Sequence, residues 1–169
     1  MFKKFLLLAS AGLMAIGPAV AAEKVKIGFV TTITTPAGVI GKDMVDAVKL
    51  AMEDIDGKMA GLDVELIVED DGFKPAIGKQ KTDKLVKQDK VQFVTGFIWS
   101  HVLLASQKSA LGAGKFLISS NAGPSQMAGK LCHKNFFSTS WQNDQTPMAM
   151  GEVLNLNNVK SLYVMAPNY

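Results

Sequence analysis

The chain has no arginine: each of its 18 basic residues is a lysine, beside 15 acidic residues, two histidines and a single cysteine, Cys132. Without a guanidinium fork, a carboxylate on a ligand cannot be held by bidentate ion pairing. It must be met by hydroxyls, backbone amides or a flexible lysine. One cysteine excludes an internal disulfide, so the fold has to rest on an ordinary apolar core. The pair Cys132-His133 has no partner at C-x-x-C or H-x-x-x-H spacing and reads as part of a surface loop, not as metal ligands.

Other absences narrow the function classes. A dinucleotide fingerprint needs G-x-G-x-x-G tight against the first strand, but Gly38 and Gly41 come too late and the first glycine is missing; a Walker A loop is also absent. Ser100 and His101 are neighbours at a helix start, so their side chains diverge, and no acidic residue is placed to orient the histidine. No catalytic constellation emerges, no cofactor is implied, and the expectation is a binding protein and not an enzyme. The formal charge of +3 falls to +1 when Lys3 and Lys4 are removed with the leader described next, which leaves no electrostatic case for nucleic acid.

The first 22 residues, "MFKKFLLLASAGLMAIGPAVAA", set Lys3 and Lys4 before an apolar run from Phe5 to Ile16 and end on small residues. This is the pattern of a cleaved secretory signal peptide, with Ala19-Val20-Ala21 as the A-x-A site and Ala22 as a close alternative. The apolar run falls short of the roughly 20 residues that span a bilayer. Export to the periplasm is expected, with residues 1–22 as the signal, 23–143 as one ligand-binding lobe and 144–169 as a crossover into a second.

Beyond the leader, strands and helices alternate. "VKIGFV" reads as a strand, "TTITTPAGVIG" as a loop, and "KDMVDAVKLAMEDID" as a helix with an apolar stripe of Met44, Val48, Ala51 and Ile55. "LDVELIVEDD" is a second strand, and Pro75 opens a helix towards Gln88. "VQFVTGF", "KFLISS" and "NFFSTS" are further strands, separated by a helix from about Ser100 to Leu111 and by "NAGPSQM" with at most one helical turn. Thr146 is a plausible N-cap, with Pro147 at the first helical position of a helix to about Leu156, and "KSLYVMA" reads as a final strand. The fold class is α/β, a parallel sheet flanked by helices. Because the sequence stops after a strand where a covering helix is due, a C-terminally truncated chain is expected.

Ligands of open parallel sheets bind outside the carboxyl ends of the strands, so the loops after them hold the candidate site. Asp70 and Asp71 most simply stabilise the positive N-terminus of the next helix. Ser100 opens a helix whose free amides and hydroxyl suit an anion, and Asn121, Ala122 and Gly123 form a polar turn on the neighbouring strand. Trp99 offers a flat apolar face. Equally, Ser100 can be a plain N-cap and Trp99 a packing residue.

The run from "KIGFVTTITTPAGVIG" through "VEDDGFKP" to "VTGFIWS" is similar to the N-terminal lobe of periplasmic substrate-binding proteins of the branched-chain amino acid (Leu/Ile/Val-binding) type, receptors of ABC importers. The resemblance covers essentially everything after the leader. It implies the first lobe of a two-lobed type I periplasmic-binding-protein fold that closes on a small ligand, acts as a monomer and delivers that ligand to the transmembrane permease. Carried over by position, the hydroxyl that holds a ligand carboxylate falls on Ser100, and its paired site on Asn121 and Gly123. Amino-acid binders usually have Thr or Ser where Gly123 stands, to help hold the α-ammonium, and an aromatic residue where Ile40 stands. Both departures count against an α-amino acid ligand, and "GFIWS", "NAGPSQ" and "STSWQNDQTP" resemble the subgroup associated with uptake of aromatic acids; the ligand implied is a small carboxylate, an aromatic acid or a hydrophobic or branched-chain amino acid. The alternative implied function is an extracellular ligand-sensing domain of a signalling receptor.

Overall fold

The computed structural model describes residues 23–166; the expected signal peptide lies outside them. In chain order the elements are β1 (Val25–Thr31), α1 (Gly38–Asp54), β2 (Lys58–Met59), β3 (Leu62–Asp70), α2 (Pro75–Lys87), β4 (Phe93–Gly96), α3 (Ser100–Leu111), β5 (Phe116–Ser119), α4 (Ser125–Ala128), β6 (Phe136–Ser138) and α5 (Gln145–Leu156). Six strands form one sheet in the order β2-β3-β1-β4-β5-β6, parallel throughout except for the short antiparallel β2 on the β3 edge. The α/β class expected from the alternation is what is found.

Strand order fixes where a ligand can sit. The chain steps from β1 outward to β3, then returns across β1 to β4 and continues to β5 and β6. Two neighbouring strands, β1 and β4, therefore send their following loops in opposite directions, and a crevice opens between those loops.

Residues alternate across the sheet with a period of two. Val30, Val94 and Leu117 point to the face covered by α2 and α3, where they join Leu85, Val86, Val102, Leu103, Ala110 and Leu111 in the buried core. The opposite face is closed around Phe29, 1% exposed, but lies open towards the far strands. Phe93 and Phe116 stack there with ring centroids 5.6 Å apart, Phe137 follows at 6.2 Å, and a groove of about 170 Å³ runs between Ile27, Met59, Phe93, Thr95 and Ile118.

Four expectations need correction. The α1 helix starts at Gly38, so Ile40 lies in its first turn and not in the loop, 42% exposed. The inward face of α1 is Gly41, Met44, Val45, Val48 and Met52, while Ala51 is exposed and Ile55 lies past the helix end. A spacing of three and four from Val45 carries the stripe onto Met52. Helix α5 begins at Gln145 behind Asp144, which places Thr146 inside the first turn instead of at the cap. The expected strand at 160–166 is not formed: these residues are irregular and exposed. Alternation of apolar residues is not sufficient for a strand, because its amides need a neighbouring strand to bond to, and none is present among the described residues.

Candidate functional site

Five loops meet at the carboxyl ends of the strands, and β4 and β5 supply the centre. At the end of β4, Gly96 (φ 98°) and Phe97 (φ 62°) both take left-handed backbone conformations. A Cβ on Gly96 would overlap the Val30 carbonyl oxygen, so only glycine lets β4 leave the sheet this close to β1. Phe97 is fully buried and donates its amide to the Val30 carbonyl at 2.7 Å, which holds the unfavourable backbone in place. The chain then extends through Trp99 (φ −108°, ψ 129°) into α3.

Ser100 is the first helical residue, with Trp99 at the cap position, and no side chain caps this helix. Leu103 is the first amide to bond back into the helix, to the Trp99 carbonyl at 3.0 Å, so the amides of Ser100, His101 and Val102 precede the helical ladder. The Ser100 hydroxyl is engaged elsewhere. It accepts a hydrogen bond from Asn143 Nδ2 at 2.8 Å, which leaves its own proton to be donated outward. Ser100, His101, Pro124, Gln126, Asn143 and Asp144 border a cavity of about 270 Å³.

Asn143 is the residue that sequence reasoning missed. Besides its side-chain bond to Ser100, its amide donates to the Gly123 carbonyl at 2.7 Å, so one residue after β6 ties the start of α3 to the loop after β5. Gly123 is the counterpart of that closeness: a Cβ there would overlap the Trp141 carbonyl oxygen and come within 3.2 Å of Asn143 Oδ1. The loop "STSWQNDQTP" was visible as polar, but nothing in its composition distinguishes Asn143 from Gln142 or Asp144.

The other expected residues fall in different places. Asn121 donates its side-chain amide to the Ile98 carbonyl at 3.0 Å, and Ala122 is buried with its own amide given to the Phe97 carbonyl at 2.9 Å. Both therefore brace the two loops against each other, and of the turn's three backbone amides only that of Ala122 makes a backbone bond among the described residues. Trp99 is half-buried and turns away from the Ser100 cavity, towards the loop after β1: its indole N–H donates to Thr32 Oγ1 at 2.9 Å, and Phe73 meets its ring edge to face at 4.7 Å. Ile40, on the first turn of α1, is not brought to Ser100 or Gly123 by any contact described. Trp141 borders a second cavity of about 190 Å³ with Gly123, Met127 and Phe136.

The acidic pair at the end of β3, Asp70 and Asp71, does not cap α2, which has Lys74 at its cap position and no side-chain cap bond. Instead both carboxylates face the first loop. Asp70 accepts from the amides of Ile33 and Gly72, each at 2.9 Å, and from the Thr34 hydroxyl at 2.5 Å. Burial pushes its pKa up, but these bonds outweigh that and hold it below the usual carboxylate range. Asp71, completely buried, accepts from the Thr32 hydroxyl at 2.5 Å and the Phe73 amide at 2.8 Å. Here burial dominates and raises its pKa, with the neighbouring charge of Asp70 adding to it. No cluster of three or more His, Cys, Asp or Glu fit to hold a metal occurs among the described residues, and no helix among them is long and apolar enough to cross a membrane.

The sheet order thus gathers the start of α3 and the Gly123 turn at the carboxyl ends of the strands, beside the β1–β4 switch point, the place where open parallel sheets take their ligands. The chain belongs to the periplasmic binding protein family, whose model matches residues 24–169. Among solved structures, an ABC transporter substrate-binding protein from Sphaerobacter thermophilus is 28% identical with a TM-score of 0.71, over 79% of this chain and 37% of that one. A solute-binding protein of an ABC transporter from Rhodopseudomonas palustris, in complex with benzoate, is 25% identical with a TM-score of 0.77, over 82% of this chain and 38% of that one. The branched-chain amino acid transporter substrate-binding protein from Streptococcus pneumoniae, in complex with isoleucine, is 26% identical with a TM-score of 0.65, over 71% of this chain and 34% of that one. The chain thus spans little more than a third of the length of these relatives. No curated protein matches it.

Proposed function

We propose that this chain is the first lobe of an exported solute receptor that captures a small aromatic carboxylate and delivers it to the permease of an ABC importer. Residues 23–143 form the lobe and residues 144–169 lead into a second one. The observation that carries the reading is the Asn143–Ser100 bond: with Nδ2 donating to its oxygen, the Ser100 hydroxyl has its proton left to give to a ligand carboxylate, at the start of α3 where the amides of Ser100 and Val102 precede the helical ladder.

The choice of an aromatic acid over an amino acid follows from Gly123. The Trp141 carbonyl and the Asn143 side chain fill the space in which a Thr or Ser side chain would have reached an α-ammonium group. Aromatic surface is close by on both sides, Trp141 at one cavity and the Phe73–Trp99 pair at the first loop. The benzoate bound by the Rhodopseudomonas palustris relative has the same chemistry, a carboxylate on a ring with no amine.

Amide-resolved NMR titration of the chain with benzoate and with isoleucine tests this, since it reads the weak binding expected of one lobe. Benzoate should shift the amides of Ser100, His101 and Gly123, and isoleucine should not. Shifts with isoleucine alone would overturn the aromatic-acid reading, and the absence of any shift with either would overturn the placement of the carboxylate at Ser100.

A further inference from the structure

Thr32 and Asp71 are both completely buried at the loop ends of β1 and β3, and a continuous chain of hydrogen bonds runs through them. The Trp99 indole N–H donates to Thr32 Oγ1 at 2.9 Å, the Thr32 hydroxyl donates to Asp71 Oδ1 at 2.5 Å, and the Phe73 amide donates to the same Oδ1 at 2.8 Å. We infer that Asp71, acting through Thr32, is the positioning residue that sets the Phe73–Trp99 pair as a ring-accepting wall at the crevice between the loops after β1 and β4. What that wall faces rests on the aromatic-acid reading above; how it is held does not.

Three observations carry this. The Trp99–Thr32 bond joins the loops after β1 and β4, the two neighbouring strands whose connections diverge, so the relay spans the crevice where this sheet order admits a ligand. Phe73 sits in a left-handed backbone conformation, φ 67°, rare for an aromatic residue, and its amide bond to Asp71 is what fixes it there. The two rings then meet at 88° with centroids 4.7 Å apart, Phe73 is 38% exposed and Trp99 half-buried, so the pair presents apolar surface outward while its geometry is set from below.

A purely structural carboxylate would be expected to satisfy both of its oxygens. Asp71 Oδ2 is buried with no hydrogen-bond partner, and the acidic side chain does not cap α2. Such a group is costly to bury, and an apolar residue would fill the space at less cost unless its one engaged oxygen has a specific task. Here Oδ1 organises two aromatic residues from two different loops. Asp70 and His101 are the titratable groups that face it.

The test follows the Trp99 indole N–H directly in a Trp141→Phe background, which leaves a single indole in the chain. Thr32→Val should speed hydrogen exchange of that N–H by roughly tenfold, the loss of one hydrogen bond, and diminish the near-ultraviolet circular dichroism of the ring. Thr32→Ser should restore both, and Asp71→Asn, which keeps an acceptor oxygen, should retain them. If Asp71→Leu fails to fold, the Thr32 pair still decides. A folded Thr32→Val variant with wild-type exchange and dichroism overturns the positioning role. Benzoate titration is read separately: binding weakened about 2–10-fold in Thr32→Val and recovered in Thr32→Ser supports the wall as a ring contact. An unchanged affinity removes that contact, and no binding by the wild-type chain defeats the aromatic-acid reading alone.

Discussion

Ser100 shows how a single residue changes meaning once its neighbours are known. In sequence it reads equally as a helix cap or a ligand hydroxyl, but its oxygen bonds to Asn143 and caps nothing. Replacing Ser100 by Ala should leave helix α3 intact by far-ultraviolet dichroism and weaken benzoate binding by roughly 1–3 kcal/mol, the range for a hydrogen bond to a charged group. NMR titration of the variant checks this. Gly123→Ala should act on the fold instead. The new methyl group would push the 141–143 backbone off the β5 loop, at a cost of about 1–3 kcal/mol, the usual penalty for overpacking, and a lowered urea midpoint would register it. The positions of Ser100 and Gly123 were legible in the sequence because strand ends and glycine turns mark loops. Asn143, Thr32 and Phe73 were not, since their roles depend on which loops the strand order brings side by side.

Elements with a complete local signature were read well. Pro75 at the first turn of α2 and the strands β1 and β3 are found where expected, because the fixed φ of proline and the β-branched, alternating residue types of the two strands are properties of the segment itself, even though both strands are covered too evenly for their burial to alternate. The missing strand at 160–166 and the shifted start of α1 concern tertiary partners, which a local pattern does not contain. Helix α2 also carries the clearest pH behaviour. Asp83 lies between Lys79 at 2.6 Å and Lys87 at 2.9 Å, and their bonds bring its pKa down to about 2. Glu69 is also held low: burial pushes it up, but bonds from Lys81 at 2.7 Å and Lys84 at 2.5 Å prevail. Both carboxylates bind protons more weakly folded than unfolded, so their stabilisation is full above the ordinary carboxylate range and is lost as pH falls through the folded values. Asp71 works the other way, its burial costing most once it is ionised and being relieved on acidification. Urea midpoints should therefore decline from about pH 5 towards pH 2. In Asp83→Asn the most acidic part of that decline should flatten.

Over the whole molecule the two faces of the sheet are unequal. One is sealed by α2 and α3, while the other shows Phe116 and Phe137 at 41% and 51% exposure, and α5 carries Met148, Val153 and Leu156 into solvent. Contiguous apolar surface of this kind marks a contact face. The chain should bind an environment-sensitive dye such as anilinonaphthalene sulfonate while fully folded, and lysine substitutions at Phe116 and Phe137 should reduce that fluorescence without lowering helix content. Unchanged fluorescence would locate the apolar surface on α5 instead.

The residues bordering the Ser100 cavity include no lysine, and the chain has no arginine to send there. A carboxylate held by a hydroxyl and backbone amides relies on short, directional contacts in place of a full opposite charge. Ionic strength acts mainly on exposed charge pairs, whose attraction mobile ions screen. Benzoate affinity should therefore change little between dilute buffer and high salt, so that capture by the proposed receptor would not drift with the salinity of its surroundings.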